Sequence, residues 1–216
     1  MTLHLPDSGA VVALDGARTA PSALRNLPFI LAQLAQHAPP AGPALELASG
    51  TGQQIAAFAA AHPGLDWQPT DVNPDNLTSI TAWRTRAMAR SGCANLAAPM
   101  LLDAGQPGWG VGRNLSLVLA VNLLHLIPEA HAATLLAEAS TALAPGGVVM
   151  IYGPFLRHGQ ATSDGDAAFD ASLRAQNPLI GYKDRDWATG NLRAAGLLVH
   201  VEALPANNLM LIAFKN

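Results

Sequence analysis

Two glycines stand one residue apart in the run Glu46-Leu-Ala-Ser-Gly-Thr-Gly52. Placed between a short apolar run and an alanine-rich segment, Gly50 and Gly52 suit a sharp strand-to-helix turn, where a ligand can approach bare backbone and a helix N-terminus. Glu46 lies four residues before Gly50, and Asp71 follows Gly52 by 19 residues. An acid at that spacing, ending the next strand, can accept hydrogen bonds from two ribose hydroxyls, as in nucleotide-binding α/β folds. Asp103 ends a third apolar run. Each residue also has a plainer reading: glycine punctuates turns, Asp71 can cap the helix that Pro74 begins, and Asp103 can form a turn. Their joint placement at the carboxyl ends of three successive strands favours a ligand, because open parallel sheets bind theirs there. Gln54-Ile55 stands where a dinucleotide-binding turn carries a third glycine, which disfavours a nicotinamide cofactor but leaves it as a rival.

Other residue types could take part in proton transfer. His125 is a candidate general base, since its free pKa is near neutrality, although the plainer and favoured reading is a histidine hydrogen-bonded under the loop that positions Asn122. Tyr152 and Phe155, around the end of an apolar run, suit either a reaction site or plain core. The remaining histidines, His4, His37, His62, His131, His158 and His200, show no ligand spacing with nearby acids, so no metal site is expected. Cys93, the single cysteine, reads as a small apolar residue near a helix end.

The elements that must position these residues alternate. Leu24, Leu27, Ile30, Leu31 and Leu34 mark a helix over Pro21 to His37, ended by Pro39-Pro40. Strand-like and helical stretches follow in turn: Ala44 to Ala48 then Gln53 to Ala61; Leu65 to Asp71 then Pro74 to Arg90; Asn95 to Asp103 then a loop; Leu115 to Val121 then Pro128 to Leu143. That alternation predicts a parallel α/β sheet. Pro145-Gly146-Gly147 closes the fourth unit, and Val148 to Tyr152 is a fifth strand. From Phe155 to Lys183 the pattern loosens into a loop with a short helix around Ala167 to Ala175, an excursion of functional length. A helix over Asp184 to Ala195 precedes two strands, Leu197 to Leu204 and Leu209 to Phe214. The link Pro205-Ala-Asn-Asn208 is short enough only for a hairpin, so the last strand is antiparallel. Residues 1–20 read as a loose start.

With 216 residues, the chain has the length of one well-buried domain, and a single domain over 1–216 is expected. Half the residues are hydrophobic and 12% are charged, which fits strands covered on both faces. No run approaches the roughly 20 apolar residues of a membrane span, and no signal peptide is seen, so a cytoplasmic protein is expected. The net charge of −3, with basic residues scattered singly, speaks against nucleic acid as a partner.

The runs LELASGTGQ, WQPTDVNPDNLTSI, VNLLHLIP, APGGVVMIYGPF and LPANNLMLIAF, in that order, resemble domain-of-unknown-function family 938, the family of methyltransferase-like protein 26. The resemblance runs from about Ser22 onward. It implies a small class I methyltransferase that uses S-adenosylmethionine (SAM) and yields S-adenosylhomocysteine (SAH), on a three-layer Rossmann-like α/β fold whose seven-stranded mixed sheet is ordered 3-2-1-4-5-7-6. It also implies site roles. Glu46, Ala48, Ser49, Gly50 and Gly52 form the methionine-side turn, Asp71 with Val72 binds the ribose, and Leu102 with Asp103 lines the adenine. Asn122 faces the methionine or methyl-donor region, and Arg25-Asn26 match a pair characteristic of the family beside the SAM carboxylate or the substrate. The chain departs from the family at Ser116, where Asp is usual, at Ala161-Thr-Ser-Asp-Gly-Asp166, where His-Thr-Ser-x-Ser-Asn is usual, and at Ile180-Gly181, where Trp-Gly is usual. The acceptor is expected to be a small molecule. Topology places the Phe155 to Lys183 excursion, the turn bearing Asn207 and Asn208, and the helix bearing Arg25-Asn26 where they could roof the methyl group, so Phe155, Asn207 and Asn208 are expected to contact it.

Overall fold

The apolar runs become the strands of one mixed sheet in the computed structural model, which describes residues 10–216. His4 and the rest of 1–9 lie outside the described residues. Two compact units are built, one from residues 10–103 with Leu115–Leu119, the other from Ala104–Asn114 with Ala120–Asn216.

The first unit holds the hairpin β1 (Val11–Val12) and β2 (Arg18–Thr19), then α1 (Pro21–His37), β3 (Gly42–Leu47), α2 (Gln53–Ala61), β4 (Leu65–Asp71), α3 (Pro74–Ser91) and β5 (Met100–Leu101). β6 (Leu115–Val121) begins in it, and its last two residues count with the second unit. β4 runs parallel to both β3 and β5. Ala44, Leu45 and Leu47 of β3, Leu65 and Trp67 of β4, and Ile55 and Phe58 of α2 are buried, so strands and helix share a core.

The second unit holds a short 3-10 turn (Leu124–Leu126), α4 (Glu129–Ala142), β7 (Leu143–Pro154), α5 (Asp164–Gln176), α6 (Arg185–Ala194), β8 (Leu198–Ala203) and β9 (Asn208–Phe214). β9 is antiparallel to β7 and to β8. It is buried continuously from Asn208 to Ala213, as a strand paired on both sides and covered on both faces must be, whereas β8 shows no fully buried residue. The sheet order is β5-β4-β3-β6-β7-β9-β8. Counted over its own strands alone, this is the expected 3-2-1-4-5-7-6.

Local expectations needed correction at four places. Residues 11–19 are not loose: the Arg18 amide donates to Ser79 Oγ (2.8 Å), Trp83 Nε1 donates to the Arg18 carbonyl (2.8 Å), and Arg86 forms a two-pronged ion pair with Asp15. The third sheet strand is two residues long, with a single further bridge between Leu96 and Trp67. β7 starts at Leu143, ahead of Pro145-Gly146-Gly147, and the Gly146 amide and Gly147 carbonyl bond to Lys215 at the end of the antiparallel partner. The helix in the 155–183 excursion is longer than expected, because Ser163 caps it by accepting from the Asp166 amide, with Asp164 and Asp166 in its first turn.

Candidate functional site

β3 delivers Glu46 and Leu47 to a turn in which Ala48 (φ 53), Gly50 (φ 58) and Gly52 (φ 84) are all left-handed. That conformation costs an alanine on the order of 1 kcal/mol and is found where surrounding structure enforces it. Here the enforcement comes from β4: the Ser49 amide donates to the Thr70 carbonyl (2.7 Å), the Thr70 hydroxyl to the Glu46 carbonyl (2.8 Å), and the Gly50 amide to Asp71 Oδ2 (2.9 Å). The two glycines serve different needs. A Cβ on Gly52 would lie 2.7 Å from Ile80 Cα, so this glycine lets α2 close on α3, while a Cβ on Gly50 would meet nothing within 4 Å. Gly50 therefore borders open space.

Glu46 is 2% exposed, and its Oε2 is buried with no hydrogen-bond partner. Burial pushes its carboxyl up to about 8, opposed by a hydrogen bond from Ser49 and reinforced by the nearby Asp71 charge. Asp71 is buried too, yet each of its oxygens accepts one backbone amide, Gly50 on Oδ2 and Asn73 on Oδ1 (both 2.9 Å). A carboxylate has about four lone-pair positions, so capacity remains for two further donors. It is not the cap of α3: Asn73 fills that position, accepting from the Asp75 amide. Leu102 is half-buried and its amide donates to the Asp71 carbonyl (3.1 Å), while Val72 and Asp103 are exposed.

The structure also supplies a link that the sequence reading lacked. α1 begins at Ala20 without a side-chain cap of its own, and Gln53 provides one from across the unit, accepting from the Ala20 amide (3.0 Å) and donating to the Ala20 carbonyl (2.9 Å). Gln54 donates to the Ala23 carbonyl (3.0 Å). The first residues after the glycine turn thus fix the first turns of α1, where exposed Arg25 and half-buried Asn26 sit.

In the second unit Asn122 is left-handed (φ 54), and its amide donates to the Tyr152 carbonyl (2.8 Å). Tyr152 is 1% exposed with its hydroxyl unpartnered, and burial raises that phenol to about 12. Phe155 is buried beside it in sequence. His125 packs edge-to-face against Phe169 and Tyr182, ring centroids 5.9 and 5.8 Å away. Burial first, then the Lys183 ammonium, depress its pKa to about 3, with Asp170 opposing, so it stays neutral through the physiological range.

The excursion is knitted around Asp166. Its Oδ2 accepts from Thr162 (2.7 Å), Ser163 (2.8 Å) and Asn207 Nδ2 (2.9 Å), and its Oδ1 from the Tyr182 hydroxyl (3.3 Å). Asn208 turns its amide to the Pro205 and Ala206 carbonyls. Lys183 Nζ donates to the Ile127 and Gly181 carbonyls (2.9 and 2.8 Å). Of the three segments expected around the acceptor, the excursion and the 205–208 turn are brought together within this unit by Asn207, while α1 belongs to the first unit.

A family model described as a protein of unknown function, DUF938, matches residues 17–216. The chain belongs to this family. Solved structures share its fold at low identity. An O-methyltransferase family protein from Burkholderia thailandensis superposes with a TM-score of 0.74 at 19% identity, over 90% of this chain and 57% of its own. Human N-acetylserotonin methyltransferase, solved with SAM, gives 0.69 at 14% identity, over 88% and 52%. A putative methyltransferase from Bacillus halodurans gives 0.64 at 15% identity, over 86% of this chain and 98% of its own. The chain therefore spans little more than half the length of the first two. Among the described residues, no group of three or more His, Cys, Asp or Glu could hold a metal ion, and no helix is long and apolar enough to cross a membrane.

Proposed function

We propose that this chain is a SAM-dependent methyltransferase that moves a methyl group to N, O or S of a small-molecule acceptor. The observation that carries the reading is the β3 turn: open space at Gly50, an orphaned buried oxygen on Glu46, and spare acceptor capacity on Asp71 at the next strand end. These residues fit an adenosine-bearing cation, with Glu46, Ala48, Ser49, Gly50 and Gly52 on the methionine side and Asp71 with Val72 at the ribose. Leu102 and Asp103 then flank the adenine, and Arg25 and Asn26 are assigned to the donor end. The likeness to methyltransferases, one of them solved with SAM, supports the same reading. When bound, SAM supplies an activated methyl group on sulfur. The protein's task is then mainly to position the acceptor and take up a proton.

Tyr152, whose hydroxyl is the unpartnered polar atom of the second unit's strand β7, fits the acceptor side better than His125, whose ring is enclosed by aromatic side chains and held neutral. Phe155, Asn207 and Asn208 are assigned to the acceptor's surroundings. The burial of His125 and the internal engagement of both asparagine amides favour a second reading, a protein that binds SAM or SAH without turnover. Thermal shift with SAM, SAH and NAD tests the cofactor: stabilisation by the first two but not by NAD is expected, and the reverse would install the nicotinamide rival. Transfer of label from SAM to a compound in a metabolite extract then separates enzyme from binder.

A further inference from the structure

Glu46 presents a problem that the fold alone leaves unsolved. A carboxylate removed from water without partners is among the costliest groups to bury, and it responds by holding a proton or by gaining a cation. Glu46 meets these conditions: 2% exposed, Oε2 unpartnered, with the like-charged Asp71 at the end of the adjoining strand. α2 carries no ionisable side chain, and Arg25 and His37 of α1 are not among the groups that shift Glu46. Only the Ser49 hydroxyl favours its ionised form. SAM and SAH share an α-ammonium group, so either ligand brings the missing cation.

We propose that Glu46 couples ligand binding to proton release: on entry of SAM or SAH the Glu46 O–H bond breaks, its electron pair stays on the carboxylate, and the proton leaves to bulk water. This inference rests on the SAM reading above. The ligand's amine keeps its own proton, so the exchange is one proton out per ligand in. Because the carboxyl is raised to about 8, it is protonated below that value and binding must expel the proton there. Affinity for SAH accordingly rises about tenfold for each pH unit between roughly pH 5.5 and 7.5, and levels off above about 8.

Calorimetric titration of the whole chain with SAH at pH 7, in two buffers of low and high ionisation enthalpy, reads the proton count directly. Close to one proton released is expected, with loss of a protonated-carboxyl band in the infrared difference spectrum on adding SAH. Glu46→Gln should bind SAH with an affinity flat in pH and release no proton. SAH binding to the native chain without proton release, or with the same release in E46Q, overturns the coupling and leaves the cofactor reading standing. Failure of SAH to bind at any pH overturns both. The native chain in two buffers decides the matter even if the variant does not fold.

Discussion

The glycine turn of the first unit and the Asp166 knot of the second both gather buried or half-buried polar groups, and they differ in what is left over. Around Asp166 four donors converge on one carboxylate, Lys183 meets two carbonyls, and His125 is held neutral among rings. At the turn the backbone is strained at Ala48, Gly50 borders empty space, and Glu46 keeps an oxygen with nothing to bond. A cluster that satisfies itself is architecture; one held in place by its neighbours while leaving valences unmet is shaped for something absent from the chain. Residue type alone points the other way, since histidine, lysine and aspartate look more chemical than alanine and glycine.

The contrast can be broken most forcefully at Glu46. Its raised pKa means that the unfolded chain ionises above about 4.5 while the folded one holds its proton until about 8, so stability falls as pH climbs through that window. Glu46→Gln removes this slope. Urea denaturation should find the variant more stable than the native chain by roughly 2–4 kcal/mol at pH 8.5 and nearly equal to it at pH 4.5. Parallel pH curves for the two proteins would mean that Glu46 is not starved of a partner. Next comes Asp71→Ala, which should weaken SAH binding by about 1.5–3 kcal/mol, the range for hydrogen bonds to a charged group. An unchanged Kd would remove Asp71 from the ligand's contacts and leave it a brace for Gly50 and Asn73. The smallest effect is expected at Asn207. Its loss should loosen the excursion from the 205–208 turn and cut turnover of any acceptor found, yet leave SAH affinity within about 0.5 kcal/mol. Abolished SAH binding in that variant, or no change in either quantity, would erase the division of labour between the two regions.

Much of this architecture was legible in residue spacing. The four-residue link at Pro205 forces an antiparallel last strand, the bounds of α1 follow from its apolar period and its prolines, and Glu46, Gly50 and Asp71 stand out by interval. What stayed hidden depends on partners distant in sequence. The β1–β2 hairpin has exposed valines and little local pattern, and it is held through Ser79 and Trp83, 61 and 65 residues from Arg18. β5 is short because the pairing that precedes it is interrupted: Asn95 and Ala97 bond to Trp67, but the Ala98 carbonyl is taken by the side chain of Gln68, 30 residues away, and Pro99 has no amide to donate. The early start of α5 was in principle readable, since Ser163 followed three residues later by Asp166 is a helix-start signal. At the site, periodicity and spacing are silent about Gln53 because its bonds run to a helix start 33 residues away.

β9 lies between β7 and β8, and the ribosome makes it after both. Until Asn208–Phe214 emerge, each of those strands presents a bare edge to a gap that only one later segment fits, with seven register pairs on one side and six on the other still unmade. Only a short turn separates β8 from β9, so those two can pair locally first, and the hairpin then closes the sheet by laying β9 along the β7 edge. Its finishing step is the long-range pairing of β9 with β7, and until the hairpin docks, the edge of β7 is open to a strand of another chain.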